Sequence, residues 1–425
     1  NQAWDRYFFQ PRIWQGRAAY ACKVGGTRSY TTYMKKKKDY AELWDLVSPA
    51  EMIDTGAKSK GVLKGMALCL SGGGYRAMLF HVGVLWRMNE TGFLKKLDRI
   101  SSVSGGSITA GVLGMNWHKL DFDKKGVARE FIRQVVEPIR VLANLTIDAP
   151  SILKGIATPD MTISNEIAIA YSRHLFGEAT LQDLPDTPRF VINATNVQSG
   201  VLWRFMKPYM ADYRVGMIKS PCVPLAVAVA ASSAFPPLLS PVTLEFDDAM
   251  YVPKSGKDLQ CPPFTTRVVL TDGGVYDNLG LETAWKRYDT IFVSNGGGQM
   301  EPDPEPYRDW VMHYLRITNV IDNQVRNLRK QQVVGSYINK SRKGAYWGIR
   351  SDISHYKLKD SLPCPCEKTM ALATIPTRFK KLDSDTQERL INWGYAVCDA
   401  ALRKHMNPHH HLSRPHGFMY PKVRV

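Results

Sequence analysis

Acidic residues are scarce in this chain of 425 residues: 39 Asp and Glu stand against 56 Lys and Arg, a net charge of +17. An imbalance of that size points to an anionic partner, either a phospholipid headgroup layer or nucleic acid, with plain solubility as the bland alternative. No helix-turn-helix, zinc-finger or RNA-binding signature supports the nucleic-acid reading, so no specific nucleic acid is expected. Long apolar runs are missing too. The longest, residues 223–239, is rich in small residues and broken by Pro236-Pro237, so it reads as a buried helix rather than a membrane span. Cysteine is sparse, and Cys22, Cys69, Cys222, Cys261, Cys364, Cys366 and Cys398 form an odd, scattered set that favours a reducing compartment. Cys364-Pro-Cys366 and the tail histidines His409, His410, His411 and His416 match no zinc spacing, and neither metal nor cofactor is expected. There is no Gly-Lys-Ser or Gly-Lys-Thr after a glycine loop, which excludes a P-loop. The first residues, Asn1-Gln2-Ala3-Trp4, show no basic–apolar–small layout, so no secretory peptide is expected. No internal repeat is present.

The chain is organised around residues 65–115. Residues 66–70 (MALCL) form an apolar run of strand length that stops at Gly72-Gly73-Gly74. Beyond Arg76, apolar residues from Met78 to Met88 recur mostly at three- and four-residue steps and predict a helix. Residues 100–103 read as a second strand, followed by Ser104-Gly105-Gly106-Ser107 and another helix to Met115. This is a βαβ unit with a further helix, and it brings the two turns together at the carboxyl ends of adjacent parallel strands. Three glycines at a helix N-terminus leave N–H groups uncovered, a site for negative charge. Ser104 sits on a sharp strand-to-helix bend between small residues, which lifts its hydroxyl clear of the sheet. An anion hole beside a raised serine is most of an acyl-transfer site.

A raised serine needs a group to take its proton. Residues 266–271 are β-rich and end at Asp272-Gly273-Gly274, the same grammar as the first two turns. Alone, this motif is a turn or a helix cap. Beside the other two it becomes a candidate base at the same sheet edge. Elsewhere the periodicity predicts helices over 122–144, 165–175, 223–234, 310–334 and 384–405. Strands are expected at 189–197, 201–205, 290–294 and 345–351, and an exposed acidic loop at 301–306. The run Lys35–Lys38, flanked by Tyr30, Tyr33, Met34 and Tyr40, suits a solvated face or a membrane contact equally.

Taken together, the motifs Gly72-Gly73-Gly74-Tyr75-Arg76-Ala77, Ser102-Val103-Ser104-Gly105-Gly106 and Asp272-Gly273-Gly274 resemble the patatin-like phospholipase family. The phrases at 233–237 (SAFPP), 275–280 (VYDNLG), 344–349 (GAYWGI) and 391–395 (INWGY) look like its bacterial members. Ser102 stands where the family usually has Gly, and Ala77 where the first motif usually ends in Gly. The resemblance implies an α/β, three-layer fold with a mainly parallel central sheet, and a Ser–Asp dyad that works without histidine. Ser104 would be the nucleophile and Asp272 the general base. The N–H groups of Gly72, Gly73, Gly74 and Gly105 would hold the oxyanion, with Gly106, Gly273 and Gly274 in support. Arg76 would face a lipid phosphate or brace the loop by pairing with a carboxylate, the bracing role being favoured. The expected organisation is an N-terminal arm at 1–64, a catalytic domain at 65–300 and a basic extension at 301–425. The expected setting is a bacterial cytoplasm, at the inner face of the phospholipid membrane. Some bacterial relatives act in phage defence once an activating partner or small nucleotide switches them on.

Two other classes compete. Gly72-x-Gly74-x-x-Ala77 also fits a dinucleotide fingerprint, but the second strand ends in Ser102-Val103-Ser104 rather than an acid. A latent or non-enzymatic protein that binds an anionic surface is the alternative suggested by charge. A serine elbow also serves peptide and thioester hydrolysis, which the residues alone do not separate from lipid esters.

Overall fold

The computed structural model describes residues 62–148, 163–406 and 412–425. Residues 1–61 of the N-terminal arm, with its lysine run, and His409–His411 lie outside the described residues, while the arm's expected last residues, Leu63 and Lys64, begin the first strand. Strands β1 (Leu63–Leu70), β2 (Arg99–Ser102) and β3 (Arg189–Asn196) run parallel in sequence. On the other side of β1 lie β9 (Tyr288–Asn295) and β10 (Lys343–Gly348), also parallel. Beyond β3 the sheet turns antiparallel through β4 (Val201–Phe205), β5 (Tyr209–Asp212) and β6 (Gly216–Lys219). Strand β8 (Arg267–Asp272) pairs with the end of β3 and with β7 (Val242–Glu245). Segment 301–425 thus contributes a strand to the same sheet that carries the glycine motifs.

The layering follows from strand alternation. On β1, Leu68 and Leu70 enter the main core, while Ala67 and Cys69 enter a second core on the opposite face with Leu281, Ile291, Val293 and Val333. Burial on both faces explains why 66–70 is apolar without interruption. The main core is covered by α1 (Gly74–Glu90), α2 (Gly105–Met115), α3 (Leu225–Ser232) and α5 (Ser384–His405). Between the last two comes α4 (Trp310–Ile338), whose buried Val333 belongs to the second core. Asp383 caps α5, accepting from the Thr386 N–H. Gly83 and Gly394 let α1 and α5 touch: a Cβ at either would stand 1.9 Å from a backbone oxygen of the other helix.

The expected helix over 122–144 is shorter than its periodicity suggests. Residues 122–130 form a bridge and turn, because Asp123 Oδ1 accepts from the Lys125 and Val127 N–H groups and Gly126 takes φ +79°. Helical structure begins at Phe131. Cys222 is in a disulfide, whereas Cys69, Cys261, Cys364, Cys366 and Cys398 are free, so the set is not all thiol. Among the described residues no helix is long and apolar enough to cross a membrane.

Candidate active site

Three strand-to-helix turns converge at the carboxyl ends of β1, β2 and β8. On the first, Gly73 and Gly74 take φ +146° and +61°, which favour glycine. Ser104 leads into α2 at φ 50°, ψ −121°, an unfavourable conformation for a residue with a Cβ. The turns then fit into one another. A Cβ on Gly105 would stand 2.2 Å from Gly74 O, and one on Gly106 2.5 Å from Leu70 O. Asn278 fills the space between two motifs, its Oδ1 lying 2.6 Å from where a Cβ of Gly72 or of Gly274 would be.

The Ser104 hydroxyl lies close enough to the Asp272 carboxylate to favour its ionised form, and that carboxylate accepts from the Gly274 N–H at 2.6 Å. Both side chains are buried, Asp272 to 2% exposure. Burial pushes the Asp272 carboxyl up to about 6; the Gly274 N–H, the nearby Ser104 hydroxyl and the positive charge of Arg326 oppose the rise. The Asp272 carboxyl is therefore mostly ionised at neutral pH while remaining basic enough to receive a proton.

The elbow is pinned from below by hydroxyls. The Ser104 N–H donates to Ser232 Oγ at 3.0 Å, and Ser232 donates to Asn193 O at 2.6 Å. Ser107 Oγ lies 2.9 Å from Ser232 Oγ and donates to Ser102 Oγ at 3.0 Å. Ser102 therefore joins the chain of hydroxyls beneath the nucleophile candidate.

Of the four N–H groups expected to hold an oxyanion, one is engaged elsewhere. The Gly72 N–H donates to Asn278 O at 3.1 Å, so it is committed to the fold. Among the described residues none accepts from the N–H groups of Gly73, Gly74 or Gly105. These three remain as donors. Arg76 braces the loop, though through carbonyls and not a carboxylate. It is buried and donates to Gly296 O at 3.2 Å, to Ala373 O and Ile375 O, and to Thr377 Oγ1 at 3.0 Å. His81 is fully buried, with Nδ1 2.8 Å from Ser294 Oγ and Nε2 2.9 Å from Ser71 O. Burial lowers it to about 4, so it is a neutral support for the glycine loop.

A cavity of about 350 Å³ opens over these groups. One wall is apolar, made of Phe235, Pro236, Pro237, Leu238, Leu239 and Phe379; another carries Arg326, Arg378 and Asp148. Asp148 pairs with Arg378 Nε at 2.9 Å. Arg326 comes from α4, held by Asp322 at 2.7 Å and by Gly298 O at 3.1 Å. A larger depression of about 730 Å³ lies in the exposed segment around 304–313 and contains none of this chemistry. Asp148, Arg326 and Arg378 escaped the sequence reading because they lie in segments that carry no motif. The apolar wall had a trace there, in the small-residue run ending at Phe235-Pro236-Pro237.

The family model described as patatin-like phospholipase matches residues 68–285, just over half of the chain and all three turns. The chain belongs to the patatin-like phospholipase family. No curated protein matches it. Among solved structures it is similar to human GIVD cytosolic phospholipase A2 with methyl gamma-linolenyl fluorophosphonate, at 14% identity over 86% of this chain and 60% of that one, TM-score 0.46. A second structure of the human protein gives 14% identity over 63% and 52%, TM-score 0.35. VipD from Legionella pneumophila gives 15% over 80% and 67%, TM-score 0.32. The chain spans roughly half to two-thirds of the length of these proteins.

Proposed function

We propose that this patatin-like chain is a serine acyl hydrolase of the phospholipase A type, acting on fatty acyl esters of membrane phospholipids. One observation carries the proposal: the Ser104 hydroxyl sits on a strained elbow, close to a buried carboxylate and beside three uncommitted N–H groups, in a partly apolar cavity. Ser104 Oγ attacks the ester carbonyl as its proton passes to Asp272. The oxyanion forms against Gly73, Gly74 and Gly105, and the alkoxide leaves with the proton from Asp272. A water then loses its proton to Asp272, cleaves the acyl-enzyme and restores Ser104. The apolar wall at 235–239 suits the acyl chain, and Arg326 and Arg378 suit the phosphate.

The test is release of free fatty acid from anionic phospholipid vesicles, alongside labelling by a fluorophosphonate probe. Release should persist in chelator, because Ser104 and Asp272 supply both nucleophile and base. It should slow as salt rises, since +17 of net charge draws the protein to anionic lipid across a Debye length of about 10 Å at 0.1 M. A folded protein that neither releases fatty acid nor takes up the probe would sink the proposal.

Gly105→Ala tests the hole separately. Its Cβ meets Gly74 O, a backbone atom, so the two turns must part. Turnover should fall by about 10²–10³, the worth of one oxyanion donor, with probe labelling slowed alongside.

A further inference from the structure

The cavity over Ser104 has a mouth with two unlike lips. The first is the turn 235–239, which leaves α3 and returns to β7. Its stems are pinned to the strand that carries Asp272. Ala234 O accepts from the Asp272 N–H and from Thr271 Oγ1, both at 3.0 Å, and Ser240 Oγ donates to Thr271 Oγ1 at 2.9 Å. The Leu239 N–H donates to Phe235 O at 3.1 Å and closes the turn. Between those ties stand Phe235, Pro236, Pro237 and Leu238, all exposed, Phe235 to 48% and Leu238 to 55%. A turn held at both ends keeps this apolar tip outside the core, in water until something apolar covers it.

The second lip is basic. Residues 378–382 run beside 143–147: the Ile147 N–H donates to Phe379 O at 2.9 Å, the Lys381 N–H to Thr146 Oγ1 at 3.0 Å and the Leu382 N–H to Ala143 O at 2.9 Å. Phe379 anchors this lip, buried with its ring 5.6 Å from that of Tyr75 and 6.2 Å from that of Tyr171. Arg378, Lys380 and Lys381 are left exposed around it. Arg378 is tied to Asp148, but among the described residues no carboxylate pairs with Lys380 or Lys381. The next acid along the chain, Asp383, is engaged in the cap of α5, accepting from the Thr386 N–H and Oγ1.

The chemistry of the two lips selects their occupant. An acyl chain that crosses water loses the apolar contact it had in the bilayer, so a lipid reaches Ser104 at least cost where the mouth itself meets the bilayer. Apolar side chains suit the acyl region of such a surface, and cations suit the phosphates at its edge. The lips also continue the walls within, since Phe235 and Leu238 belong to the apolar wall and Arg378 to the polar one. A patch of four apolar side chains is small against the roughly 20–30 residues a side of a stable protein interface. We propose, resting on the hydrolase reading of the site, that the mouth is a docking edge for an anionic bilayer. The turn 235–239 inserts among the acyl chains while Arg378, Lys380 and Lys381 lie at the phosphates. A lipid then enters tail-first along 235–239, with its phosphate toward Arg378.

Binding is read by sedimentation with phosphatidylglycerol-containing vesicles, in Ser104→Ala protein so that no lipid is consumed. Phe235→Glu with Leu238→Glu should bind at least tenfold more weakly. Lys380→Glu with Lys381→Glu should lose about tenfold or more on these vesicles and little on phosphatidylcholine alone. Both pairs should keep the thermal unfolding transition of the parent. Two control pairs should bind as the parent does. Lys124→Glu with Lys125→Glu makes the same charge change at the amino ends of the strands, where Lys125 O packs on Gly92 ahead of β2. Ile317→Glu with Ile321→Glu makes the same apolar-to-acid change on an exposed part of α4. A parent that does not bind vesicles overturns the proposal, as does binding that survives both lip pairs. So does a control pair that weakens binding as much as its lip counterpart. Fatty acid release with Ser104 restored separates the two readings. Lips that govern binding in a protein that releases no fatty acid keep the docking edge and sink the hydrolase reading. Release at the wild-type rate from protein carrying both lip changes does the reverse.

Discussion

Ser104→Ala should remove fatty acid release by a factor on the order of 10⁴–10⁶ and abolish fluorophosphonate labelling, while leaving vesicle binding in place. The loss is expected to be this large because no other hydroxyl is placed to substitute. Ser107, Ser102 and Ser232 are tied to one another and to carbonyls beneath the elbow. A companion variant separates chemistry from strain. At φ 50° and ψ −121° any Cβ is unfavourable, so alanine keeps the strain of the wild type and glycine relieves it. Ser104→Gly should be equally inactive yet about 1 kcal/mol more stable than Ser104→Ala, after allowing for the extra freedom glycine has when unfolded. Denaturant titration of the two proteins reads that difference directly. Full release from either variant would remove Ser104 from the mechanism.

Much of the site could be read because its chemistry is local in sequence. Each turn is a strand, a run of small residues and a helix, and such a string needs no knowledge of distant partners. The α/β layering was legible for the same reason, since residues 66–70 are apolar on both faces and the helix after Arg76 has a clear period. What stayed hidden depends on segments meeting in space. Gly72 looks identical to Gly73 and Gly74, and only the arrival of the Asn278 carbonyl takes its N–H out of the hole. Arg76 was expected beside a carboxylate, but the carbonyls at 296, 373 and 375 reach it first. Arg326 and Arg378 enter the cavity from a helix and a loop that carry no motif. Strands β5 and β6, four residues each, are too short for alternation to stand out. Over 122–130 the apolar spacing resembled a helix, and one side chain, Asp123, turns the chain instead.

Asp272→Asn should lower turnover by about 10³–10⁴, since the amide cannot accept the Ser104 proton. It should also make the protein more stable. A carboxyl raised from 3.8 to about 6 binds its proton more tightly in the folded chain than in the unfolded one. Stability from this group is therefore fully present below pH 4 and is lost as pH rises through 6. At neutral pH the buried charge costs the fold on the order of 3 kcal/mol. Asparagine keeps an oxygen for the Gly274 N–H, presents an amide N–H to Ser104 and carries no charge, so most of that cost disappears. The variant's unfolding midpoint should rise at pH 7 and converge on that of wild type near pH 4. The same titration governs the rate: wild-type turnover should climb with pH through about 6 and level off above it, as Asp272 becomes free to act as base. An Asp272→Asn protein that is inactive but no more stable than wild type would mean that the carboxylate is better compensated than its burial implies. One that retains a wild-type rate would move the general base elsewhere.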